Sequence, residues 1–97
     1  MASDKEYLEY ILDLLGKIHG ISHKKMMGEY LLYKDDILFG GVYDNRFLVK
    51  KTKSTSKYHL KEQTPYPGAK TMLLVDSEDP EEIEELILYI CKDLTKS

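Results

Sequence analysis

Hydrophobic positions recur with a helical period at both ends of the chain and with a strand period between them. Leu8, Ile11, Leu12, Leu15 and Ile18 repeat at three- and four-residue steps, which places them on one helix face. Ser3, with Glu6 three positions later, has the form of a capping box, and Gly20 accepts the left-handed conformation that closes a helix. A first helix is therefore predicted over residues 4–18. A second apolar stripe runs through Ile83, Leu86, Ile87, Ile90, Cys91 and Leu94. It is preceded by Asp79 at a cap position, Pro80 at the first helical position and Glu82 at the box position.

The intervening pattern reads as an antiparallel meander of three or four strands. Residues 29–34, 37–43 and 46–51 are strand-length runs rich in Tyr, Leu, Val and Phe. Asp35-Asp36 and Asp44-Asn45 join them, and both residue types tolerate the positive φ of tight hairpin turns. Met27-Gly28 marks a bend after a short strand over 22–26. The turns imply a register: Lys34 opposite Ile37, Leu32 opposite Phe39 and Tyr30 opposite Gly41, then Tyr43 opposite Arg46, Val42 opposite Phe47 and Gly40 opposite Val49. Because side chains alternate, one face carries Leu31, Tyr33, Leu38, Val42, Phe47 and Val49 and is expected to meet the helices. The other carries Tyr30, Leu32, Lys34, Ile37, Phe39, Tyr43, Arg46, Leu48 and Lys50. A bulge at Gly40-Gly41 would shift this register by one residue.

Residues 50–63 are basic and polar, with a short helix predicted over 55–61 and capped by Ser54 or Thr52. Thr64-Pro65-Tyr66-Pro67-Gly68 is a loop, since two prolines and a glycine oppose regular structure. Residues 71–75 read as a last strand. The fold class is α+β: a two-layer sandwich, helix, antiparallel strands, short helix, strand and helix, with the helices on one sheet face.

The chain has 97 residues, a length for one domain spanning 1–97. With 42% hydrophobic and 32% charged residues it is neither a disordered nor a membrane-protein composition. No basic start precedes an apolar run, so no signal peptide is predicted and the cytoplasm is the expected compartment. The net charge of −3 is segregated. Residues 17–70 carry a net +6, and residues 71–97 a net −6. Part of the acidic excess has a structural reason, since Asp79, Glu81 and Glu82 complement a helix dipole.

Little in the residues suggests catalysis. The single cysteine, Cys91, lies in an apolar helical stripe and reads as a core thiol. His19 and His23 have a metal-ligand spacing, but Gly20 between them breaks the helix that would align them. Ser54, Thr55 and Ser56 are explained by capping, and Asp35, Asp36 and Asp44 by turns. No cofactor, metal or catalytic residue is predicted. Lys50, Lys51, Lys53, Lys57 and Lys61, with Tyr58 among them, form the one stretch suited to phosphate contacts, which Lys24 and Lys25 extend.

Three segments together carry a family resemblance. They are Lys25-Met26-Met27-Gly28-Glu29-Tyr30, then Phe39-Gly40-Gly41-Val42-Tyr43-Asp44-Asn45-Arg46-Phe47-Leu48-Val49-Lys50, then Tyr66-Pro67-Gly68-Ala69-Lys70-Thr71-Met72 before the proline-started acidic helix. In this order and spacing the chain resembles the N-terminal domain of the TfoX (Sxy) family, regulators of natural competence in bacteria, over nearly its whole length. The resemblance implies a two-layer fold with an antiparallel sheet, similar to secretion-chaperone-like folds. It also implies a non-enzymatic, transcription-associated role exercised through a partner regulator. Competence-active members carry a second, helical domain, so a chain stopping at Ser97 is similar to a short stand-alone member.

The expected function is thus a protein-interaction or regulatory domain. Tyr30, Leu32, Phe39, Tyr43 and Leu48 are the expected partner-binding residues, left bare on the second sheet face and suited to a homodimer or other protein partner. The alternative is an accessory nucleic-acid-binding protein using the basic segment 50–61 through Lys50, Lys51, Lys53 and Lys57. Nucleic-acid binding is otherwise expected to be weak or absent at this net charge, and no membrane partner is expected.

Overall fold

The computed structural model describes residues 3–95. Helix α1 (Lys5–Leu14) leads into strands β1 (Ile21–Met26), β2 (Glu29–Lys34), β3 (Ile37–Val42) and β4 (Phe47–Val49). A 3-10 helix (Lys53–Tyr58), strands β5 (Glu62–Gln63) and β6 (Met72–Leu74) and helix α2 (Pro80–Thr95) complete the chain. The sheet order is β1-β2-β3-β4-β6-β5, with every pairing antiparallel. The apolar stripes of α1 and α2 join the sheet residues Tyr30, Leu32, Phe39, Val42, Phe47, Val49, Leu73 and Val75 in one core. This is the two-layer α+β arrangement expected from the periodicities. Among the described residues no helix is long and apolar enough to cross a membrane.

Helix α1 is shorter than its apolar stripe. Its backbone leaves the helix at Leu15, whose φ of −90° and ψ of 5° end the regular turn, yet Leu15 and Ile18 remain buried. Asp4, not Ser3, is the cap residue. The Ser3 hydroxyl instead donates to Glu29 at 2.6 Å and accepts the Asn45 N–H at 3.1 Å, while the Glu29 carboxylate accepts the Asp44 N–H. The start of α1 is thereby tied to two hairpin turns. Three connections, Met27-Gly28, Asp35-Asp36 and Asp44-Asn45, have positive φ at both central residues, the backbone of turns whose twist matches paired strands.

The register departs from expectation at one residue, with a large consequence. Lys34 faces Ile37 and Tyr33 faces Leu38, but Leu32 faces Gly40 and Tyr30 faces Val42. Phe39 is the extra residue of a β-bulge. Because side chains alternate, one inserted residue flips everything beyond it to the other face. Tyr30 and Leu32 therefore join Val42, Phe47 and Val49 under the helices, and the bulged Phe39 enters the same core. Leu31, Tyr33 and Leu38, expected on the helix side, lie half-buried on the opposite face.

This corrects the expected partner surface. Tyr30, Leu32 and Phe39 are interior, and Leu48 and Tyr43 are buried as well. No bare patch formed by these five residues exists, and the reason for a homodimer through them falls with it. The short helix expected over 55–61 forms instead as the 3-10 helix Lys53–Tyr58, capped by Thr52, and does not cover this face either. It packs on α2, where Ser54 donates its backbone N–H and hydroxyl to Asp93, and Tyr58 donates to Glu85 at 2.6 Å.

Cys91 is buried in the core, and burial pushes its thiol above the ordinary cysteine range. In the folded protein it is expected to react with a thiol-exchange reagent at neutral pH only as fast as the chain opens. A prompt stoichiometric reaction without denaturant would contradict this placement.

Candidate binding cleft

The sheet face away from the helices is occupied by a loop rather than by a second helix layer. Arg46 fixes this loop at its start. Its guanidinium donates to the Gln63 side chain at 2.8 Å and to the backbone carbonyls of Thr64 and Pro65, and its Nε donates to the Tyr43 carbonyl. Four contacts in a planar fork use nearly all that an arginine can donate. Pro65 is buried under this clamp, and Gly68, at a φ of 87°, turns the loop back toward β6.

Between this loop and the sheet lies a cleft of about 460 Å³. Leu38, Gly40, Tyr43, Pro65, Ala69 and Met72 supply its apolar surface, and Lys50, Lys51 and Lys70 its charge. Gly40 lines the cleft, and both it and Gly41 are glycine for a steric reason. A Cβ on Gly40 would stand 2.3 Å from the Leu48 carbonyl oxygen, and one on Gly41 would stand 2.8 Å from the Tyr43 ring. The Tyr43 ring therefore lies over Gly41, and burial, with Tyr66 and Glu29 nearby, raises its phenol above the usual range. Tyr66 also lines the cleft and is 61% exposed.

The basic segment is split by this geometry. Lys50 and Lys51 reach the cleft, whereas Lys53 and Lys57 ride on the 3-10 helix against α2. The Lys57 ammonium sits 3.6 Å from the centre of the Tyr89 ring, a cation–π contact that accounts for it structurally. Lys51 is shared, since it pairs with Glu62 at 3.1 Å. That pairing, together with the Thr71 hydroxyl, holds the Glu62 carboxyl below the usual glutamate range. The sign follows from the direction of the shift: the contact stabilises the fold above the ordinary glutamate pKa and is lost as pH falls through the lowered one. Lys51→Ala is expected to return the Glu62 titration, followed by carboxyl NMR, toward the ordinary value. An unchanged titration would place Lys51 away from Glu62.

Lys70, Tyr66 and Met72 were not singled out as a site from the sequence. The only local signal was an aromatic residue and a lysine bracketing Pro67-Gly68 in a segment that otherwise reads as a connection. The expected register puts Arg46 on the second sheet face, but nothing local points to its role as a clamp, because three of its four partners, Gln63, Thr64 and Pro65, lie far beyond it in sequence. Lys24, which faces Leu31 across the β1–β2 pair, shares the helix-free face. The acidic residues Asp79, Glu81, Glu82, Glu84 and Glu85 line a separate depression at the start of α2 with Lys17 and Tyr58. The charge blocks of the sequence are thus only partly separated: Lys50, Lys51 and Lys70 gather at the cleft, whereas Lys17 pairs with Glu81 and Lys57 rests on Tyr89 of α2.

Other chemistry finds little support. His23 is exposed on β1, and Gly20, at a φ of 81°, separates it from His19. Among the described residues no group of three or more His, Cys, Asp or Glu side chains is placed to hold a metal ion.

No family model matches the chain. It is 35% identical over 78 residues to an uncharacterized 12.7 kDa protein in the trpE 5′ region of Spirochaeta aurantia, a match that covers 78% of this chain and 68% of that protein.

Proposed function

The chain belongs to the same family as the 12.7 kDa protein of Spirochaeta aurantia, and from that premise we propose that it is a non-enzymatic regulatory binding domain of the cytoplasm. In this reading it is a counterpart of the TfoX (Sxy) N-terminal domain and contacts its partner through the cleft on the helix-free sheet face. The observation that carries the reading is the cleft itself. An apolar floor of Leu38, Tyr43 and Met72 is ringed by Lys50, Lys51 and Lys70 beneath a loop held by Arg46. Recognition surfaces commonly combine a rigid scaffold with a loop of this kind.

Parallel affinity capture from the native host tests it, using the wild type and a Lys50→Glu, Lys70→Glu double variant, with bound protein and nucleic acid both identified. Lys70 is exposed and Lys50 partly so, so the double variant should melt within a few degrees of the wild type. The expected result is a ligand retained by the wild type and lost by the variant. Equal recovery by both proteins would remove the cleft as the contact site.

A further inference from the structure

We propose that the occupant of the cleft is single-stranded nucleic acid, with one unpaired base seated against Tyr66 and the flanking phosphates held by Lys50, Lys51 and Lys70. The proposal rests on the cleft being the contact site and adds the chemistry of what enters it.

Four observations point this way. The first is the charged rim. Lysine is depleted at the centre of protein–protein interfaces, whereas a compact ammonium on a flexible stem serves well as a point-charge partner for phosphate. Three lysines converge on one cleft of about 460 Å³, a volume in the range of sites that take small bodies such as a single base and its sugar.

The second is the aromatic element. Tyr66 stands 61% exposed between Pro65 and Pro67, at the cleft edge. A tyrosine flanked by prolines has little conformational freedom left to lose on binding. Alternating lysines and aromatic faces are the common device for holding unpaired bases without reading them.

The third is the state of the arginine. Bidentate reading of base edges relies above all on a free guanidinium, and the Arg46 guanidinium is committed to Gln63, Thr64 and Pro65. The site is therefore expected to hold a strand with little sequence preference.

The fourth is the wider field. Lys24 continues the positive face across the sheet, while the α2 acids line a separate surface. A polyanion approaching the molecule is steered to the sheet side despite the net charge of −3. A duplex keeps its bases stacked and paired, so it gains only the phosphate contacts.

The test is fluorescence anisotropy with a short fluorescein-labelled oligothymidylate, measured across a salt series. Unlabelled duplex DNA and polyglutamate serve as competitors. Log affinity is expected to fall with log salt at a slope of about 2, since each phosphate neutralised on a single strand contributes roughly 0.7. Tyr66→Ala is expected to weaken binding about tenfold, the loss of one stacked base. The Lys50→Glu, Lys70→Glu double variant is expected to weaken it at least as much. Both variants are checked for unchanged thermal melting, and duplex and polyglutamate are expected to compete poorly.

Three outcomes would overturn the proposal. One is no binding at low salt. Another is binding that neither variant changes. The last is competition by polyglutamate as effective as by the oligonucleotide itself, which assigns the cleft to an acidic protein segment. If the oligonucleotide fails while the double variant still loses a captured protein, the cleft remains the contact site and only its nucleic-acid assignment falls.

Discussion

Phe39→Ala is expected to remove a large share of the stability of this fold. The Phe39 side chain is completely buried, and as the bulged residue of β3 it packs in the helix-side core with Leu32 and Val42. Truncating a buried phenylalanine costs about 3–5 kcal/mol, against a total of roughly 5–15 kcal/mol for a typical domain. Urea unfolding should show a midpoint sharply lowered with little change in slope. Phe39→Lys should show no cooperative transition, because an unpaired ammonium in that core has no partner to offset its desolvation. Wild-type stability in both variants, with a change only in sedimentation, would mean that Phe39 faces a partner and that the bulge is misplaced.

Gly40→Ala has the second-largest expected effect, for a different reason. The added methyl would stand 2.3 Å from the Leu48 carbonyl oxygen and 2.9 Å from the Val49 Cα. Both are backbone atoms of β4, so no rotamer change relieves the contact, and β3 and β4 must separate beside the bulge. Overpacking of this kind costs about 2 kcal/mol, which lowers a melting midpoint in a domain of this size by roughly 8–16 °C. Gly41→Ala differs in having a side-chain component, since its Cβ meets the Tyr43 ring at 2.8 Å as well as the Tyr30 carbonyl oxygen at 2.5 Å. Part of its effect should therefore appear as altered Tyr43 fluorescence and weakened cleft binding. A Gly40→Ala melt within a degree or two of the wild type would show that the strands do not approach so closely.

The two substitutions mark where the sequence stops being legible. Asp35-Asp36 and Asp44-Asn45 announce their turns because their positive φ is a local demand met by local residue types. The pairings those turns fix directly, Lys34 with Ile37 and Val42 with Phe47, follow. The bulge between them has no such signature. Gly40-Gly41 signals an irregularity, but placing the extra residue at Phe39 depends on a comparison of two whole faces. Only with that insertion do Leu32, Phe39 and Val42 share one core. Strand β5 is a similar case. Glu62-Gln63 has no strand pattern, and it pairs because Met72 and Leu73 offer an edge.

The cleft was half legible for a related reason. Lys50 and Lys51 stand in a visibly basic run. Lys70 and Tyr66 join them through the Arg46 contacts to Gln63, Thr64 and Pro65, a tertiary event with no periodicity to betray it. Lys53 and Lys57, equally basic in sequence, are turned away because the 3-10 helix is held by Asp93 and Glu85 on α2.

The strand order implies a sequence of events in folding. Strands β1 to β4 are neighbours in both chain and sheet, each joined to the next by a two-residue turn. Such hairpins close in about 1–10 μs and at small loop-closure cost. Beyond β4 the order inverts, with β6 lodged between β4 and β5, so that Val49 waits for Leu73. The cleft loop is the excursion that makes this inversion possible, since it returns the chain from β5 to β6. A nascent chain can thus zip its first four strands early while the binding face stays unformed. The cleft closes only when β6 docks against β4, which makes ligand-binding competence a late report on folding rather than a property of the meander alone.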